Sequence, residues 1–419
     1  MTRTIVLSII CAVFSFAQSA GAAGFRLSEV DNAGQGQANA MVAGADDSAA
    51  VYHNPAAMVE LEKYGAKAGF QFIDPKTKYS SGGAAETANE TFSVPHLYTV
   101  KKFEDKGMAI GLGIFSNFGA GTQWNYDSPL RYDATDTKLR TSTVNLAGAM
   151  SLGVVSIGLG LDYMTSKVAY NNMYPFKGVG ADGYSVMEGS GSSFGFNAGL
   201  LFKATDAIKI GAAYRSGMSP KLKGTIEIQN FPGALQPLLA SKGISGDRYR
   251  SDGEVTVNFP AITTVGINFN VTSALSLEVD ADFTQWSVYD KLDFTFASPL
   301  SSGSTTLLPA SLSKEQKWKD TTAIRVGAAF QKDEHLTLRV GYCSDPSPVP
   351  DATFTPRIPD ADRNAYTFGL SYIASDKYVV DASYMLVSFK DRTIANGGSV
   401  DGTYQTSANI FGVSVGYKF

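Results

Sequence analysis

Side chains able to move protons are scarce in this chain, which contains only three histidines. His96 falls inside a strand pattern, His335 sits in a tight turn, and His53 lies in an irregular N-terminal segment. None is in the long polar loops, where a hydrolase on such a frame would carry its Ser–His or Asp–His pair. The two cysteines, Cys11 and Cys343, form no Cys/His cluster at ligand spacing, so no metal is expected. The Gly-rich GQGQ (34–37) follows no strand and is not a phosphate-cradling loop. With 35 basic against 39 acidic residues and no basic stripe, nucleic acid is not an expected partner. No catalytic residue, cofactor or metal is therefore expected, and the chain is not read as an enzyme.

The elements that position the remaining motifs are strands. In FGVSVGYKF (411–419), Phe411, Val413, Val415, Tyr417 and Phe419 share one face, with Gly412, Ser414, Gly416 and Lys418 on the other. Leu275, Leu277, Val279, Ala281 and Phe283 alternate with Ser276, Glu278, Asp280 and Asp282, and 155–163 and 336–342 behave alike. Period-two alternation marks half-buried strands. Several exceed the roughly 9–11 residues that cross a bilayer at a tilt, whereas soluble strands average about five or six.

Strands are expected near 65–73, 91–102, 107–118, 139–152, 154–170, 191–204, 206–226, 253–271, 273–289, 316–332, 334–345, 363–375, 377–390 and 402–419. Tight turns (103–107, 203–207, 270–274, 332–335, 374–377) alternate with long polar loops (74–90, 119–138, 171–190, 227–252, 290–315, 346–362, 391–401). Short connections at one end and long ones at the other define an antiparallel transmembrane β-barrel of about 14 strands. A barrel of that width leaves a lumen, so a segment must close it.

Residues 1–22 read as an export signal: Arg3, an apolar run over 5–17, and the small-x-small site Ala20-Gly21-Ala22. A lipid-anchored start at Cys11 is disfavoured by the bulky Ile10 preceding it. Cleavage leaves a mature chain beginning Ala23-Gly24-Phe25 with one cysteine, hence no internal disulfide. Residues 23–64 carry no alternation and Asn54-Pro55 in their middle, where Asn54 can cap a short helix with Pro55 in its first turn.

GFRLSEVDNAGQGQANAMVAGADDSAAVYHNPAAM (24–58) resembles the N-terminal hatch of the FadL-type outer-membrane transporters of long-chain fatty acids and other hydrophobic compounds. SNFG (116–119), FGFNAGLLF (194–202) and SDPSPVPDATFTPRIPDADR (344–363) extend the resemblance in order along the mature chain. It implies a hatch over 23–64, with Asn54, Pro55 and Ala56 as its motif, inside a barrel over 65–419. It also implies a kinked third strand at Asn117, Phe118 and Gly119 through which ligand leaves sideways. Phe25 then reaches the lumen pocket, Lys314 meets a ligand head group, and Asp345 serves gating or plug contact. Independently of the resemblance, the terminal Phe419, with Tyr417 and Val415 on the same face, is expected to be the assembly signal. The family's arginine partner falls near 169–173, where this chain reads AYNNM, so a neutral or aromatic hydrocarbon is the alternative ligand.

The expected location is the outer membrane of a Gram-negative bacterium. Expected partners are a hydrophobic small molecule, outer-membrane lipids and the barrel-assembly machinery, with the chain acting as a monomer. A surface adhesin is the more remote alternative.

Overall fold

A computed structural model describes residues 24–61, 65–81, 83–176 and 181–418; the expected export signal (1–22) and Phe419 lie outside these. Fourteen antiparallel strands close on themselves. The first five are β1 (Gly65–Ser80), β2 (Phe92–Phe103), β3 (Met108–Phe115 continued by Gly119–Gln123), β4 (Asp136–Leu152) and β5 (Val155–Phe176). Next come β6 (Ala181–Thr205), β7 (Ile208–Arg215 with Lys221–Gln229), β8 (Tyr249–Thr256 with Ile262–Asn270) and β9 (Leu275–Thr284 with Lys291–Phe296). The last are β10 (Ser311–Glu315 with Thr321–Gln331), β11 (Leu336–Asp345), β12 (Arg363–Ile373), β13 (Tyr378–Phe389) and β14 (Gly402–Lys418). Pairing of β1 with β14, from Gly65↔Lys418 to Ser80↔Thr403, removes the edge.

The alternation fixes which face each residue takes. Leu159, Leu161, Phe194, Phe368, Phe411 and Val415 are exposed on the outer wall, while Asp162, Glu278, Asp280 and Asp282 are buried in the lumen. No described helix is long and apolar enough to cross a membrane.

Two expectations about loops need correction. Residues 171–190 and 290–315 are largely strand: β5 runs to Phe176, β6 resumes at Ala181, and β9 and β10 extend through Lys291–Phe296 and Ser311–Glu315. KLDFTF (291–296) alternates, but in short pieces that a membrane-length template passes over. Lys314 is thus on a strand, opposite Leu292, rather than in a free loop.

Candidate functional site

Inside the barrel, Gly24–Leu61 forms a plug of short turns. Helix α1 (Asn32–Gly36) is capped by Asp31, whose carboxylate accepts from the Gly34 N–H at 2.7 Å. Asn54 caps the 3₁₀ turn Pro55–Glu60: its Oδ1 accepts from the Ala56 N–H, and its Nδ2 donates to Val42 at 2.7 Å and to Leu200 of β6 at 3.0 Å. Gly158 and Gly199 stand directly opposite each other on β5 and β6, and a Cβ on either would overlap the Asn54-Pro55-Ala56 backbone or the Asn54 amide. The wall is bare where the plug touches it.

The lumen face of β9 supplies the sockets. Asp280 accepts from the Met41 and Val42 N–H groups, Glu278 from those of Ala43 and Gly44, and Asp282 binds Arg26 and Arg325. Buried Lys67 of β1 bridges Asp31, Asp47 and Asp381 at 2.5–2.9 Å. Unpaired backbone donors in a closed lumen are costly, and these carboxylates satisfy them. His53 lies 3.7 Å from Asp31 within the plug, away from the rim.

At the plug's leading end Phe25 is buried in an aromatic cage. Its ring lies 4.7 Å from Trp286, 5.1 Å from both Tyr289 and Trp318, 5.8 Å from Phe259 and 6.0 Å from Phe118. Every one of these partners sits in a strand interruption: 116–118 in β3, 257–261 in β8, 285–290 in β9 and 316–320 in β10. Regular strands aim only alternate residues inward, so breaks are what let bulky rings converge. Lys317 turns through a left-handed conformation (φ 53°) just before Trp318. Gly24 (φ 65°) is needed as well, since a Cβ there would meet both indoles at 2.7–2.8 Å.

The break in β3 interrupts its ladder with β2. β2 pairs with β3 only from Leu97↔Ile114 to Phe103↔Met108, while Gly119–Gln123 pairs with β4 alone. The Phe92–His96 stretch of β2 consequently has no β3 partner, and the ladder resumes only at Thr87↔Trp124. The plug takes up the freed groups: Leu27 N–H donates to Asn117 at 2.8 Å and Gly119 N–H to Phe25 at 2.9 Å. Asn117 is fully buried with neither side-chain polar atom bonded. A cavity of about 140 Å³ lies beside this gap in the ladder, lined by Gly24, Phe92, Gly119, Gly121 and Asp360, with the Phe92 ring lying over Gly121.

Above the cage runs a groove lined almost wholly by apolar groups, among them Val168, Met187, Leu222, Val255, Leu292 and Phe294. Tyr170 lines it and its hydroxyl lies beside that of Tyr289 of the cage, so groove and cage are continuous. Against Tyr170 lies Arg357 of the proline-rich loop: its guanidinium is 5.1 Å from the ring centroid and donates to Asn172 Oδ1 at 3.0 Å and to the Asn171 carbonyl at 3.2 Å. Among the described residues it has no carboxylate partner. Burial holds its pKa down. Lys314 keeps solvent contact along its strand and shares a face with the buried Leu292 directly opposite it.

Other sequence candidates lie elsewhere. Asp345 accepts from Arg363 at 2.5 and 2.9 Å across β11 and β12 instead of bonding a plug residue, because Arg363 is its direct register partner. The acid that does hold the plug's first described residue is Asp360, which accepts from Gly24 N–H at 3.0 Å and from Ser347 at 2.6 Å. Sequence reasoning missed Arg357 and the cage. Two of the chain's three tryptophans, Trp286 and Trp318, interrupt alternation, which was the available signal.

A family model described as outer membrane protein transport protein (OMPP1/FadL/TodX) matches residues 13–419. The 47 kDa outer membrane protein of Pasteurella multocida is 29% identical, covering 100% of this chain and 98% of that protein. The long-chain fatty acid transport protein of Escherichia coli O6:H1 is 28% identical over 97% of both chains. The crystal structure of a Pseudomonas aeruginosa FadL homologue superposes with a TM-score of 0.83 at 22% identity, covering 95% of this chain and 100% of that one.

Proposed function

Because this chain belongs to the OMPP1/FadL/TodX family of outer-membrane transport proteins, we propose that it is a passive outer-membrane channel for long-chain carboxylates such as fatty acids. The observation that carries this reading is the apolar groove leading to an aromatic cage, with the buried Arg357 over Tyr170 of its lining, the exposed Lys314 opposite Leu292, and no carboxylate paired to either among the described residues. A buried, unpaired cation is costly, and an anionic head group offsets that cost while the tail enters the groove. Each buried CH₂ contributes about 0.8 kcal/mol. Binding is the whole of the chemistry; the family consists of transport channels, and the chain is read as having no catalytic step.

Exit is sideways in this reading. Straight below the cage the lumen is polar, lined by Arg26, Asp282, Arg325 and Arg215, and the plug fills it. An alkyl chain would have to be rehydrated on that path. The window between β2 and β3 opens toward hydrocarbon instead. Phe25 occupies the cage and its neighbours hydrogen-bond the kink, so a tail displacing Phe25 loosens the bonds that close the window.

Five aromatic rings around one small apolar volume also suit a neutral aromatic hydrocarbon, the second reading. Mass spectrometry of organic extracts from the purified protein separates them. Recovery of long-chain acids supports the first, hydrocarbons the second, and neither class after growth with both would overturn the proposal. Export, assembly by the barrel-assembly machinery and a monomeric state belong to the same reading.

A further inference from the structure

The outer wall carries a second feature that transport does not use. On β4, Val144, Leu146 and Met150 face outward; Tyr163 and Phe194 stand beside Val144 in register, as the top of the apolar belt. One neutral row follows, Ser142, Thr165 and Ser192. The next is basic: Arg140 is directly opposite Lys167, Lys167 opposite Ser190, and Ser190 opposite Lys223. Four residues of strand separate this row from Val144, roughly 13 Å of chain, or about 10 Å along the membrane normal once the strand tilt is included. Arg250, Lys138 and one exposed carboxylate, Glu188, also line the outer groove there, which bounds about 980 Å³ of space open to solvent.

Lys138 of this groove is already neutralised by Glu90 and Asp136, and elsewhere at the loop end Lys76 pairs with Glu86, Lys221 with Glu254 and Lys390 with Asp362. Arg140, Lys167 and Lys223 are exposed, and among the described residues none has a carboxylate partner. Like charges directly opposite in a ladder are destabilising, and low-dielectric lipid beside them reduces screening. A row of this kind is complete only with anions.

We propose that Arg140, Lys167 and Lys223 form a binding site for the phosphate groups of a phosphorylated glycolipid of the outer leaflet. Its acyl chains would lie along the apolar belt below, on Val144, Tyr163 and Phe194, while its phosphates sit one neutral row above. The shared chemistry is phosphate on paired cations; the acyl chains of a lipid are what distinguish it from free phosphate.

Native mass spectrometry of the detergent-purified full chain with bisphosphorylated lipid A, its dephosphorylated form and inorganic phosphate tests the assignment. The wild type should hold the bisphosphorylated lipid and lose it with rising salt. R140Q/K167Q/K223Q should weaken retention about tenfold or more, while K76Q/K221Q/K390Q, which removes paired cations, should change it less than about twofold. A heat-modifiability shift on gels checks folding; K167Q alone, with the wild-type salt dependence, serves if the triple variant fails to assemble. Equal retention by both triple variants, or equal binding of dephosphorylated lipid, would overturn the site. Displacement by millimolar phosphate would overturn the lipid assignment.

Discussion

The Arg357 guanidinium, from the loop preceding β12, rests 5.1 Å from the centroid of the Tyr170 ring on β5, 187 positions away in the chain. A cation thus stands over AYNNM (169–173), where the sequence itself supplies none.

Arg357→Ala should therefore weaken a long-chain carboxylate by about 1.5–3 kcal/mol, the scale of a charge-assisted hydrogen bond, and leave a neutral hydrocarbon of equal length unaffected. Lys314→Ala should act in the same direction. Calorimetric titration with both ligand classes checks this; equal losses for acid and hydrocarbon would remove the head-group role.

Replacing Asn117, Phe118 and Gly119 by a β-branched strand segment should extend β2–β3 pairing past Leu97 and close the window. Uptake of a labelled fatty acid by whole cells should fall steeply while surface expression and ligand binding in detergent persist. Uptake that survives a straightened β3 would eliminate the lateral route.

Asp360 links plug and loop through Gly24, and burial raises its pKa to about 6. The folded state then holds this proton more tightly than the unfolded chain, so its contribution to stability falls as pH rises from about 4 to about 6 and is level above that. The local tether runs the other way, because protonation removes the charge assisting the Gly24 N–H bond. Amide exchange at Gly24 and Phe25, corrected for intrinsic rate, should be faster at pH 5 than at pH 7, and Asp360→Asn should abolish the difference. Identical protection at both pH values would exclude Asp360 as the tether.

Leu159 is 66% exposed on the outer wall, near the middle of the apolar belt. Leu159→Arg should cost about 2–4 kcal/mol in bilayer unfolding, and Thr165→Arg, above the belt on the same strand, only about 0–1 kcal/mol. Similar costs at the two positions would mean that the belt has been placed at the wrong height.

Facing and closure were legible in the sequence because both are local: alternation is set by the strand's period of two, and turn length by the residues beside each strand. That is why Leu159 and Asp162 fall on opposite faces of β5 and why strands were expected at fourteen places. Asn54 and Pro55 were legible for a similar reason, since a cap is made within three residues. The cage was not. Phe25, Phe118, Phe259, Trp286 and Trp318 meet only when four separate strands break at one height, and no periodicity links them. Lys291–Phe296 and Ser311–Glu315 passed for loop because each is too short to stand as a strand without its partner. Arg357 and Asp360 were hidden more deeply still. A cation or an acid in a polar loop is solvated by default, and only the folded barrel brings that loop back over Tyr170 and Gly24. Residue types and period decided that a plugged barrel would form. Contacts between segments hundreds of residues apart decided what its pocket can hold.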